Sequence, residues 1–279
     1  MPNPAVLNAE DVIRFEAVSK VFGGQQQRAL ALLQQGATNQ EIKQETGSQV
    51  ALRQISLDIR RGEIFSIMGL SGSGKSTLVR FINRLLQPEL GQVWVNQQCI
   101  KQLSDSELRV LRQQQVSMVF QNFGLFPHLN VLENAEFALR TKGLSKFERS
   151  GKARHWLTEV GLEGYEYAAI TELSGGMQQR VGLARALAAE TDILVMDEPF
   201  SALDPITRHR LQLLLIDLQQ RYQKTIVFVT HDVDEAIQLG GRVALMHDAE
   251  LIQTGYIHEM IDAPVNGYVS EFLKVRSSV

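Results

Sequence analysis

The chain has 279 residues, with 28 Lys and Arg set against 31 Asp and Glu for a formal charge of −3, and 44% of its residues are hydrophobic. That composition supplies a core for one large domain or two small ones and excludes a disordered chain, while the near-balanced charge predicts neither nucleic-acid binding nor attraction to anionic lipid. A single cysteine, Cys99, excludes an internal disulfide and a cysteine-rich zinc site. The first eleven residues lack the basic and apolar stretches of a signal peptide. No window reaches the roughly 18 to 20 apolar residues that cross a bilayer. The expectation is a protein that is soluble, or peripheral to something else that spans.

In chain order, 12–18, 50–59 and 92–96 alternate apolar with polar residues and are expected to pair in a separate antiparallel sheet. Five short runs, 64–68, 116–120, 193–196, 225–229 and 243–246, are largely apolar throughout, as strands buried on both faces of a parallel sheet are. Between them lie helical patterns over 75–86, 132–141, 146–160, 178–189 and 206–220, with Ala153, Trp156, Leu157 and Val160 on one face of the third. The alternation predicts an α/β domain.

The segment 25–49 stands apart. It carries Ala29, Leu30 and Leu33 at helical spacing and a stop at Gly36, then Thr38 and Glu41 at capping-box spacing and a second stop at Gly47. Two short helices of this kind resemble a DNA-reading helix-turn-helix, but Glu41 and Glu45 offset Arg28 and Lys43 and leave no net charge to neutralise phosphates. A helical insertion packed on the domain edge is the favoured reading.

Gly69, Leu70, Ser71, Gly72, Ser73, Gly74, Lys75, Ser76 and Thr77 fit the phosphate-loop pattern, between a strand and a helix. Glycines let the backbone curl so that successive N–H groups point at phosphate oxygens, and the helix start adds its positive end. Lys75 supplies a charge for the β- and γ-phosphates, and Ser76 a hydroxyl for Mg²⁺. The strand 193–196 runs into Asp197 and Glu198. Alone, those acids are as easily solvated loop groups; with a phosphate loop present, Asp197 is expected near Mg²⁺ and Glu198 to polarise the attacking water. Leu173, Ser174, Gly175 and Gly176, followed by Gln178, put a hydroxyl and two glycines before a helix. This is an ordinary N-cap or a second anion site, and a second site in one domain suggests nucleotide held by a partner subunit.

These motifs, with Ser201-Ala202-Leu203-Asp204 and Thr230-His231-Asp232, occur in the order and spacing of the ATP-binding cassette ATPases of membrane transporters, which the chain resembles over residues 12–262. The resemblance implies a P-loop NTPase core with a mixed, largely parallel sheet, an antiparallel β subdomain and an α-helical subdomain at about 125–180. The whole chain 1–279 then forms one cassette. It implies that ATP and Mg²⁺ bind, that Phe22 stacks on adenine, and that Gln121 reaches Mg²⁺ and water. It further implies that Asp204 lies at the contact with a second copy paired head to tail, that His231 holds the γ-phosphate and that Glu198 is the general base. Each has a plainer alternative: Phe22 as core, His231 as a surface histidine, Gln121 as the end of a strand.

The insertion 25–49, the loop 67–74 and the stretch 78–85 resemble the ATPase subunits of quaternary-amine importers of the glycine betaine and proline betaine group. The implied function is hydrolysis of ATP to power import of such an amine, or of a related amino acid such as histidine, from the cytoplasmic face of the inner membrane. A transmembrane permease and, indirectly, a substrate-binding protein are the expected partners, with no nucleic acid. The chain ends too soon for the paired regulatory modules that several members of the group carry, which puts gating by such modules in doubt. The apolar, Gly- and Pro-broken segment 121–129, with Phe126 at its centre, is expected to meet the permease. A soluble cassette ATPase acting on ribosomes or DNA is the alternative.

Overall fold

A computed structural model describes residues 10–121 and 124–274. The elements in chain order are β1 (Asp11–Phe22), α1 (Gln26–Gln34), α2 (Asn39–Thr46), β2 (Gln49–Arg60), β3 (Ile64–Met68), α3 (Lys75–Ile82), β4 (Leu90–Val95), β5 (Gln98–Cys99), α4 (Asp105–Gln114), β6 (Val116–Val119) and α5 (Val131–Glu136). They continue with α6 (Lys146–Glu159), α7 (Gly175–Ala188), β7 (Ile193–Asp197), α8 (Pro205–Tyr222), β8 (Thr225–Thr230), α9 (Val233–Leu239), β9 (Arg242–His247), β10 (Glu250–Tyr256), α10 (Ile257–Asp262) and α11 (Gly267–Lys274). The chain divides into two compact units, one running through Leu108 and resuming at His231, the other Arg109–Thr230.

In the first unit β2, β1, β4 and β5 form the expected antiparallel sheet. The end of β2 shows why: Ile55, Leu57 and Ile59 are buried while Gln54, Ser56, Asp58 and Arg60 face water. β3 pairs with β9 in parallel and β10 folds back antiparallel on β9. Every residue of β3 is buried, Ser66 included, as in a largely apolar strand covered on both faces. Met68, Val243 and Leu245 pack with Met260 of α10 and Val269 and Leu273 of α11.

The insertion is two helices laid on the antiparallel sheet. Ala29, Leu33 and Ile42 form one apolar cluster with Val21, Val50 and Ala249. Thr38 and Glu41 make the capping box, and Gly47 ends α2 at φ +66°, the left-handed position glycine adopts at no steric cost. Arg53 of β2 donates to Asn39 Oδ1 and to the Ala37 carbonyl, each at 2.7 Å, and Asn39 donates to the Asp248 carbonyl at 2.8 Å. The apolar faces of both helices are spent on this packing, which is the edge-packed arrangement favoured over a DNA-reading pair.

In the second unit β6, β7 and β8 are parallel, and β7 and β8 are buried throughout. Helices α5, α6 and α7 pack on one another. The expected apolar face of α6 is buried at Ala153, Trp156, Leu157 and Val160.

Several boundaries differ from expectation for identifiable reasons. The helix expected over 75–86 stops at Ile82, because the Asn83 side chain accepts from the Leu85 N–H and Arg84 takes φ +52°. The helix expected over 132–141 tightens into a 3-10 turn, Phe137–Thr141, after Glu136. α7 begins at Gly175, three residues before the periodic pattern does, because glycines carry no hydrophobic signal. α4, β5, β10 and α9 to α11 were outside the expected set. α4 buries only Leu108 and Leu111, too few for periodicity, although Ser104 and Glu107 make a capping box at its start.

Candidate functional site

The phosphate-loop residues lie in the first unit, between buried β3 and α3. Gly69, Gly72 and Gly74 take φ of +147°, +83° and +100°. At Gly69 a Cβ would sit 2.2 Å from the Met246 carbonyl oxygen, and at Gly74 2.2 Å from that of Ala51. Both positions therefore exclude a side chain by space as well as by conformation. Lys75 is buried, and its Nζ donates to the Gly69 and Leu70 carbonyls at 2.8 and 2.9 Å, so the ammonium is folded under the loop it follows. The Ser73 hydroxyl is buried with no hydrogen-bond partner among the described residues. Ser76 and Thr77 are half-buried in the first turn of α3, and Ser71 and Gly72 are exposed.

His231 joins this loop at a cavity of about 450 Å³ that Leu70, Ser71 and Val233 also line. Phe22 ends β1 with 40% of its surface exposed and the Lys20 ammonium 5.2 Å from its ring centre. It is not a core residue.

In the second unit Asp197 is the buried last residue of β7, and Glu198 follows it, half-buried at φ +47°. That left-handed conformation is costly for a residue with a Cβ. It is held by the Glu198 N–H donating to the Val229 carbonyl at 3.2 Å and by the Ser201 hydroxyl donating to the Glu198 carbonyl at 3.1 Å. Gln121 is exposed just beyond β6, whose Val119 is in register with Met196 of β7. Gln121, Asp197 and Glu198 thus share the C-terminal edge of neighbouring parallel strands, where open α/β sheets place ligands.

Ser174 caps α7 by accepting from the Met177 N–H at 3.3 Å. Gly175 is exposed, and a Cβ at Gly176 would lie 2.5 Å from Thr207 Cγ2, so this glycine permits close approach of α7 to α8. Asp204 caps α8 by accepting from the Thr207 N–H at 3.0 Å. Hydrogen bonds from the Thr207 side chain and backbone hold its carboxyl below the usual aspartate range. The helix start and Asp204 are therefore brought together through Thr207. The Gln178 amide points elsewhere, donating to the Ile170 and Leu173 carbonyls at 3.2 and 3.1 Å.

In the segment 121–129, Asn122 and Phe123 lie outside the described residues. Phe126 is half-buried rather than free in solvent, its ring 4.2 Å from that of Phe137, which is 37% exposed. Phe137, an aromatic at a helix end, gives no periodic signal in the sequence.

Residues 52–201, more than half of the chain, match the family model described as ABC transporter. The chain belongs to the ABC transporter family. Within that family it is 50% identical over 262 residues to the glycine betaine transport ATP-binding protein OpuAA of Bacillus subtilis, covering 94% of this chain and 63% of that protein. It is 49% identical to the glycine betaine/proline betaine transport system ATP-binding protein ProV of Escherichia coli, covering 91% and 64%. The trimethylamine N-oxide transport system ATP-binding protein TmoW of Ruegeria pomeroyi is 45% identical, covering 94% and 76%. The chain spans under two thirds of the length of the first two of these relatives. Among solved structures, a bacterial ABC transporter cassette determined as a dimer is 34% identical with a TM-score of 0.75, covering 88% of this chain and 98% of that one. The same cassette is known in a post-hydrolysis state bound to ADP and Pi. The cassette fold anticipated from the motifs, with its antiparallel sheet, parallel strands and helical subdomain, is the fold observed.

Proposed function

We propose that the chain hydrolyses ATP to power import of a quaternary amine or betaine through a transmembrane permease, acting as a head-to-tail pair at the cytoplasmic face of the inner membrane. The observation that carries this reading is the cradle at 69–75. Carbonyls at 2.2 Å from the missing Cβ positions of Gly69 and Gly74 leave no room for side chains there, and a glycine-lined loop that opens a helix is the kind of backbone that receives an anion. The Ser73 hydroxyl, buried and without a hydrogen-bond partner among the described residues, fits the same polyphosphate.

In this reading Lys75 exchanges the Gly69 and Leu70 carbonyls for the β- and γ-phosphates. Ser76, Asp197 and Gln121 hold Mg²⁺, which when bound neutralises charge developing on the transferred phosphoryl group. Glu198 takes a proton from the attacking water, Gln121 orients that water, His231 holds the γ-phosphate and Phe22 stacks on adenine. The second copy supplies Ser174, Gly175 and Gly176 to the same nucleotide, with Asp204 at the contact. Gln178 acts indirectly, by tying down the turn that leads into Ser174. The amine substrate class is supported by the names of the relatives, and a substrate-binding protein would deliver it.

The test is reconstitution with the neighbouring permease in vesicles. Glycine betaine, presented by the binding protein, is expected to stimulate ATP hydrolysis and to accumulate inside. Hydrolysis indifferent to permease and amine, but stimulated by ribosomes or DNA, would overturn the reading.

A further inference from the structure

Asn134, on the second turn of α5, has no exposed surface. Its Oδ1 accepts from the Phe126 N–H at 2.8 Å. Its Nδ2 donates to the carbonyls of Phe126 at 3.1 Å, and of Leu129 and Asn130 at 3.0 Å each. One amide group, with two N–H donors shared over three carbonyls, therefore engages four backbone groups of the turn 126–130. Without it the half-buried Phe126 N–H and Leu129 carbonyl would lose that partner, while the Phe126 and Asn130 carbonyls would keep the Leu129 and Asn134 N–H groups.

The turn is joined to the rest of its unit at two further places. Asn130 bridges Ala169, the Val131 and Leu132 N–H groups donate to the Ala168 and Glu166 carbonyls at 3.2 and 2.8 Å, and Ala169 leads directly into the Ile170–Glu172 turn before Ser174. From α7 itself, Arg185 donates to the Gly124 carbonyl at 2.7 Å and sets its guanidinium 5.9 Å from the Phe126 ring. A segment that reads from sequence as a Gly- and Pro-broken loop is thus fastened at one end to α7 itself and at the other to the stretch that leads into its serine–glycine start.

We propose that Asn134 is a positioning residue that makes 124–130 one body with α5 and α7, so that displacement of Phe126 by an apolar segment of the membrane partner reaches Ser174, Gly175 and Gly176 undiminished. This rests on the transport reading above. Asn134 touches neither nucleotide-binding motif, and its role is mechanical: a packed, hydrogen-bonded element transmits a shift that a loose loop would absorb.

The experiment uses the full chain and the same chain assembled with its permease. In the full chain, Asn134→Ala is expected to speed amide exchange across 124–130 by at least tenfold and to leave exchange in β7 unchanged. Asn134→Asp keeps the acceptor for the Phe126 N–H but sets a carboxylate against three carbonyls, and is expected to behave like the alanine. In the assembled complex both variants are expected to hold basal ATP hydrolysis within twofold while amine transported per ATP falls at least fivefold. Arg185→Met, which loosens the Gly124 end from outside the buried cluster, is expected to lower transport per ATP in the same direction and serves if the Asn134 variants do not fold. Unchanged exchange in Asn134→Ala overturns the proposal, as does faster exchange with unchanged transport per ATP. A wild-type complex that hydrolyses no ATP would instead remove the functional reading, and the exchange result would still report whether the clamp exists.

Discussion

The Glu198 amide donates to the Val229 carbonyl at 3.2 Å and thereby holds a glutamate in the left-handed region, at φ +47°, at the end of β7. An L-residue gives up roughly 1–2 kcal/mol to sit there. Strain of this kind persists where surrounding structure over-determines it, which is a frequent property of active sites.

Exchange of Glu198 for glutamine removes the proton acceptor and keeps the backbone. Turnover of ATP is expected to fall about 10²- to 10⁴-fold, with ATP affinity retained and an ATP-loaded pair accumulating on size exclusion. Glu198→Gly, which relieves the backbone, is expected to be equally inactive yet more stable than Glu198→Ala by about 1 kcal/mol. Phosphate release and thermal melting check the two halves separately, and near wild-type hydrolysis by the glutamine variant would take the general-base role from Glu198.

The glycines of the phosphate loop are predicted to differ in cost. Gly72 has φ +83° and open space around its missing Cβ, so Gly72→Ala is expected to cost about 1 kcal/mol from conformation alone. Gly74→Ala meets the Ala51 carbonyl oxygen at 2.2 Å as well and is expected to cost roughly 2–4 kcal/mol and to abolish nucleotide binding. Denaturant unfolding orders the pair, and an equal cost would show that the loop yields more than its packing implies.

Acid lability should trace to helix caps. Hydrogen bonds from the Thr38 backbone and side chain, and from the Ser104 and Ser145 side chains and backbones, hold the carboxyls of Glu41, Glu107 and Glu148 below the usual glutamate range. A depressed folded-state pKa contributes stability that is fully present above the ordinary carboxylate range and is lost as pH falls through the folded value. Replacing all three by glutamine is expected to lower the melting temperature at about pH 7 and to flatten its fall toward about pH 3. Parallel curves for variant and wild type would assign the acid limb to other groups.

The insertion is predicted to stabilise its unit through one contact cluster. Ile42 is fully buried against the sheet, and Ile42→Ala is expected to cost about 2–4 kcal/mol. The accompanying drop in melting temperature is about 2–4 °C per kcal/mol for a chain of this size. Calorimetry reads it directly. A change under about 0.5 kcal/mol would mean that the helices detach without loss to the sheet.

Much of the fold was legible because its signals are local. The largely apolar runs of β3, β7 and β8 mark strands buried on both faces, and Thr38 with Glu41 announces the start of α2. α4 carries no periodic signal because so few of its residues are buried, and α3 and α5 end earlier than their patterns predict because Asn83 captures a backbone N–H and Phe137 turns onto Phe126.

The sequence by itself determined the phosphate loop, the carboxylates ending β7 and the serine–glycine helix start, since each is a contiguous run whose chemistry depends on neighbours along the chain. Only the tertiary structure decided that Phe22 is exposed, that Gly176 admits Thr207, that Gln178 is occupied with Ile170 and Leu173, and that Asn134 binds a turn that otherwise reads as loose. Those outcomes depend on which distant groups share a burial site. Residue spacing carries no record of them, because a buried amide is recognised by the partners it satisfies and not by its position in the chain.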